Sequence, residues 1–81
     1  MEVRTLWVVI PAFNEATVIG DVISGLRARY PNVVVVDDRS EDDTSNVAVA
    51  AGAVVIRHPI NLGQGAALQT GIRYALQRGA D

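Results

Sequence analysis

Three short apolar runs punctuate the chain, and each is followed by a segment of helical period. Leu6-Trp7-Val8-Val9-Ile10 is β-branched and aromatic, with Trp7 expected in the core and Pro11 expected to stop the run. Val33-Val34-Val35-Val36 ends at Asp37 and Asp38. Ala53-Val54-Val55-Ile56 ends at Arg57, His58 and Pro59. Apolar runs without polar alternation fit strands covered on both faces, as in a parallel sheet. Between the runs, Val18, Ile19, Val22, Ile23 and Leu26 share one face of a helix predicted from Glu15 to Arg29, which Tyr30-Pro31-Asn32 ends. Ser40 followed by Asp43 reads as the start of a second helix, with Glu41, Asp42 and Asp43 suited to its first turn. Val47, Ala48 and Ala51 would face the sheet, and Gly52 stands where a helix-terminating glycine belongs. A third helix is predicted from Gly63 or Gly65 to Gly79. It carries Ala67, Leu68, Gly71, Ile72, Ala75 and Leu76 on one face.

Strand–helix order repeated three times predicts an α/β fold: three βα units in a parallel, Rossmann-like half-sheet with right-handed crossovers. The 81 residues leave room for one small domain, with a thin stability margin. The third helix ends where a further strand should begin. Residues 1–81 are therefore expected to be the incomplete N-terminal part of a larger domain. An open strand edge of that kind invites self-association.

Composition narrows the function. With 49% hydrophobic and 20% charged residues the chain is globular rather than disordered. A net charge of −2 argues against a nucleic-acid-binding surface, which needs a basic patch. The absence of cysteine excludes disulfides and thiolate metal sites and fits a reducing compartment, so a cytoplasmic setting is expected. Glu2 and Arg4 precede only a short apolar run that ends at Pro11, which is not a signal-peptide pattern. The longest nearly apolar run, Val47 to Ile56, is half of the about 20 residues a membrane helix requires. Any attachment to the inner face of a membrane would have to come from regions outside this chain.

Ligands of open α/β sheets bind at the carboxyl ends of the strands. The residues there are Pro11-Ala12-Phe13-Asn14-Glu15, then Asp37-Asp38-Arg39-Ser40, then the stretch from Arg57 through Asn61-Leu62-Gly63-Gln64-Gly65. All three loops are polar or glycine-containing, and all three open onto one rim. Convergence of the three is the functional signal.

P-A-F-N-E, V-V-D-D-R-S and N-L-G-Q-G-A-A, in that order, resemble the three signatures of glycosyltransferase family 2. Within it, the chain is most similar to the dolichyl-phosphate mannose and glucose synthases and their polyprenyl-phosphate relatives. The resemblance covers essentially the whole chain. It implies a GT-A fold, a nucleoside-diphosphate sugar donor, a polyprenyl-phosphate or saccharide acceptor, and inversion by direct displacement at the anomeric carbon. It further implies that Pro11, Phe13 and Glu15 line the nucleoside pocket, that Asp38 of the Asp37–Asp38 pair reads the base or ribose, and that Gly63, Gln64 and Gly65 bring a helix N-terminus to the diphosphate. A Mg2+ or Mn2+ ion is implied too, with the family's metal-binding D-x-D motif expected beyond Asp81. The fragment by itself is therefore expected to be inactive as a transferase. Two positions depart from the family pattern: Phe13 stands where Tyr is common, and Gln64 where Lys or Arg is common.

The same residues have plainer readings. Asp37 and Asp38 suit a strand-end turn, and Asp37 reads as the more structural of the two. Glu15 suits a first helical turn. Gly71 reads as a packing glycine, Arg39 as solvated and His58 as a loop residue. Asp81 precedes the missing strand rather than ending it, which argues against a metal role. Among rival functions, a receiver-like signalling module would place its acidic pair after the first strand. A dinucleotide-binding domain would need G-x-G-x-x-G there. A non-catalytic α/β scaffold is the third alternative.

Overall fold

The computed structural model describes residues 5–80, so Glu2, Arg4 and Asp81 lie outside the described residues. Six elements alternate: β1 (Val8–Ala12), α1 (Ala16–Arg27), β2 (Val33–Asp37), α2 (Thr44–Ala50), β3 (Val54–Arg57) and α3 (Gln64–Gln77). The strands form one parallel sheet in the order β1-β2-β3, in register from Val8 opposite Val33 and from Val34 opposite Val54.

The central strand explains its composition. All five residues of β2 are buried, because helices cover both of its faces. On one face Val33 and Val35 pack with Ala12, with Ile19 and Ile23 of α1 and with Ala48 of α2. On the other face, Val9 and Val36 lie against Gly71 of α3, so closely that a Cβ on Gly71 would stand 2.2 Å from Val9 Cγ1. Glycine is the residue that this approach requires. Strands β1 and β3 are only partly covered, so the expectation of strands buried on both faces holds for β2 alone.

Pro11 does not stop β1, which runs on to Ala12. Val8 N–H donates to Asn32 O and Ala12 O accepts from Asp38 N–H, so alternate residues of β1 face β2. Pro11 falls between them, so its missing N–H lies on the side away from β2, and no bond of the β1–β2 ladder is lost. Trp7 sits just before the strand rather than in it. It is half-buried, edge-to-face with Tyr74 of α3 at 5.6 Å.

Helix α3 divides the face that its sequence suggested. Ala67, Gly71 and Ala75 are buried, whereas Leu68, Ile72 and Leu76 are exposed. Helix α2 is seven residues long and begins at Thr44 behind Asp43, so Ser40 is not its cap and no acidic residue lies in its first turn. Ser40 is used elsewhere.

Candidate functional site

The rim loops are held by side chains of the second loop. Asn14, Glu15 and Ala16 open α1, and their N–H groups lack intrahelical partners. They donate to Ser40 Oγ at 2.8 Å, Thr44 Oγ1 at 2.9 Å and Asp42 Oδ2 at 3.2 Å. Asn14 Oδ1 accepts in return from Glu41 N–H at 2.9 Å. Asn14 takes φ 53°, a left-handed conformation that asparagine tolerates better than most residues. The spacing S-x-D-x-T from Ser40 thus caps a helix 26 to 29 residues earlier in the chain. Sequence reading assigned Ser40 and Asp42 to the start of their own helix, because caps are normally local.

The two adjacent aspartates point to opposite faces of the sheet, as successive strand residues must. Asp37 is fully buried on the side of α2. Its Oδ1 accepts from Ser40 N–H at 2.8 Å, and its Oδ2 accepts from the Ser45 hydroxyl and from Arg57 Nη1 at 3.4 Å. Burial pushes the Asp37 carboxyl up, but the Ser40, Ser45 and Arg57 contacts together outweigh it and hold the pKa below its ordinary value. Arg57 also donates to Ser40 O at 2.9 Å. Asp37 is a structural anchor in this arrangement and has no face on the cleft.

Asp38 lies on the side of α3. Its Oδ1 accepts from His58 Nδ1 at 2.9 Å and from Leu62 N–H at 2.8 Å, and its Oδ2 accepts from Gly63 N–H at 2.8 Å. The His58 hydrogen bond, followed by that from Leu62, keeps its pKa below the ordinary value. His58 is 6% exposed, and its Nε2 meets Thr70 Oγ1 at 2.9 Å. A lone histidine before a proline read as a loop residue; the structure buries it in a chain of hydrogen bonds from β2 to α3. The signal was available only in combination, since Asp38 and Thr70 are 20 and 12 residues away.

Pro11, Ala12, Phe13, Glu15, Asp38, Gln64 and Ala67 line one cleft of about 190 Å3 at the carboxyl rim. Five candidate residues (Pro11, Phe13, Glu15, Asp38 and Gln64) meet there, while Asp37, Gly63 and Gly65 do not line it. Phe13, 47% exposed, also borders a second hollow of about 440 Å3 with Arg39, Ser40, Glu41, Arg57 and Asn61. Gly63 has φ 97° and precedes α3; its N–H is taken by Asp38, so it shapes the turn and is not free to donate to an anion. The first residues of α3, Gln64 to Ala66, have N–H groups without an intrahelical acceptor, and no side chain caps them. A Cβ on Gly65 would meet nothing within 4 Å. Among the described residues no three His, Asp or Glu side chains converge to hold a metal ion.

A cleft at the strand ends of an open parallel sheet with helices on both faces is the architecture of the GT-A fold. The chain belongs to glycosyl transferase family 2, whose family model matches residues 7–78. It is 50% identical over 72 residues to an uncharacterized protein of Methanocaldococcus jannaschii, covering 88% of this chain and 30% of that protein. It is 29% identical over 96 residues to the UDP-N-acetylglucosamine–dolichyl-phosphate N-acetylglucosaminyltransferase of Methanococcus voltae, covering 96% and 38%. Among solved structures, the glucosyl-3-phosphoglycerate synthase of Mycobacterium tuberculosis in complex with Mn2+, UDP-glucose and phosphoglyceric acid matches with a TM-score of 0.71 and 36% identity, covering 80% of this chain and 27% of that one. The chain thus spans well under half the length of these relatives. Among the described residues, no helix is long and apolar enough to cross a membrane.

Proposed function

We propose that this chain forms the nucleoside and diphosphate subsite of an inverting glycosyltransferase that uses a nucleoside-diphosphate sugar. The observation that carries the reading is the cleft at the carboxyl rim where Pro11, Phe13, Glu15, Asp38 and Gln64 meet beside the N-terminus of α3. Phe13 offers an aromatic face to a base. Asp38 keeps lone-pair capacity for one N–H or ribose hydroxyl. The free amides of α3, together with its dipole, favour a diphosphate, and the open space above Gly65 lets that group come close.

In this reading the charge that develops on the departing diphosphate would be offset by a divalent cation, whose ligands would lie outside the described residues. An Mn2+ ion accompanies UDP-glucose in the mycobacterial synthase, which supports metal use here without choosing between Mg2+ and Mn2+. The acceptor is a lipid phosphate, as the name of the Methanococcus relative suggests, or a small phosphorylated acid, as in the mycobacterial enzyme. Both acceptors bring an oxygen nucleophile to the anomeric carbon, so direct displacement needs no nucleophile from the protein.

Isothermal titration with UDP and GDP, with and without Mn2+, tests the proposal. Binding of one nucleotide, weakened at least tenfold by Asp38→Ala, is the expected result, a tenfold loss being about 1.4 kcal/mol. Failure of a folded chain to bind either nucleotide, both alone and when extended through the following strands, would sink it.

A further inference from the structure

We infer that His58 is a positioning residue of the cleft: held at both ring nitrogens, it fixes the Asp38 carboxylate and, through it, the turn that starts α3. An ionised carboxylate only accepts hydrogen bonds, so the 2.9 Å contact requires a hydrogen on Nδ1. In the neutral ring Nε2 then accepts from the Thr70 hydroxyl at 2.9 Å. The backbone adds a third tether, since His58 N–H donates to Asp37 O at 2.9 Å and continues the β2–β3 ladder. Both imidazole nitrogens are therefore engaged inside the protein, and neither is left for a ligand. Its influence on the cleft passes through Asp38.

That influence is specific. Asp38 has about four acceptor positions. His58 and Leu62 N–H take two on Oδ1, and Gly63 N–H takes one on Oδ2. One remains, on Oδ2, to meet a ligand in the cleft that Asp38 lines. If the His58 bond is removed, the carboxylate can rotate and its grip on Leu62 and Gly63 weakens. Gly63 N–H leads directly into Gln64, so the first turn of α3 moves with it. The consequence for nucleotide affinity rests on the function proposed above; the positioning itself does not.

Two near-isosteres separate positioning from mere packing. The side-chain amide nitrogen of Asn lies close to the place of Nδ1, and that of Gln close to the place of Nε2. His58→Asn should keep the Asp38 contact, with amide exchange at Leu62 and Gly63 within about threefold of the parent chain and UDP or GDP affinity nearly unchanged. His58→Gln keeps only the Thr70 side. It should speed that exchange and weaken the nucleotide by roughly tenfold, the scale of a hydrogen bond to a charged group. Equal behaviour of the two variants, or unchanged exchange in His58→Gln, would overturn the inference. If exchange follows this pattern while no nucleotide binds, the positioning stands and the nucleotide reading falls. Imidazole 15N shifts of the parent chain give a check that needs no variant: hydrogen on Nδ1 of the neutral ring is expected, and hydrogen on Nε2 alone would refute the inference.

Discussion

At the residue scale, carboxylates do most of the work of closing the rim. Asp37, Asp38 and Asp42 each have a pKa held below the ordinary carboxylate value in the fold. For Asp42 the first cause is the Thr44 hydroxyl; burial opposes it, and the Ala16 N–H adds to the lowering. The unfolded chain takes up protons near the ordinary value, whereas the folded chain resists until lower pH. Their contribution to stability is therefore complete above the unfolded value and is lost as pH falls through the depressed ones. Urea midpoints measured between pH 6 and pH 2.5 should hold steady down to about pH 4.5 and fall below it. Asp37→Ala should cost roughly 2–3 kcal/mol even at neutral pH, because it strands the buried Ser40 N–H and unpairs Arg57. A denaturation curve shifted by less than 0.5 kcal/mol, roughly the scatter of an ordinary surface change, would deny it that anchoring role.

The two glycines of α3 separate at the element scale. Gly71 is pressed against Val9 and Val36 of the sheet, so Gly71→Ala should lose roughly 1–3 kcal/mol from overpacking, read as a lowered Tm. Gly65 faces open space within the same helix. There Gly65→Ala should raise stability by roughly 0.5–1 kcal/mol through helix propensity. If the first turn of α3 receives a diphosphate, the same change should weaken nucleotide binding while it stabilises the fold. Opposite signs in a melt and a titration are a signature that packing alone does not produce.

At the scale of the whole molecule, the Leu68, Ile72 and Leu76 stripe of α3 is one exposed apolar surface, and it lies beside the partly covered β1. A shallow groove of about 190 Å3 joins them, lined in part by Trp7, Val9 and Ile72. Contiguous exposed apolar surface beside a partly covered strand favours association. We expect light scattering to show a mean mass that rises with concentration, and expect Leu68→Lys with Ile72→Lys to suppress the rise. A monomer at every concentration would count against self-association along this surface.

Much of this was legible in the order of residues. Continuous valine runs announced a parallel sheet, the 3.6 period announced α1 and α3, and three polar loops at strand ends announced the rim. These are local properties: propensity and periodicity act within a few residues, and strand direction follows from helical crossovers. The tertiary structure decided which partner each polar group took. Asp37 and Asp38 are neighbours in sequence, yet the alternation of a strand sends one into the core beside Ser45 and the other to the cleft wall beside His58. Ser40 looks like a cap for the helix that follows it and instead caps α1 together with Thr44, because packing brings the first and second loops together. Pro11 looks like a stop and is tolerated because its missing N–H lies on the side of β1 away from β2. Each of these outcomes depends on contacts between residues far apart in the chain. Hydrogen-bond satisfaction in a buried rim is settled by the fold as a whole, and no local pattern encodes it.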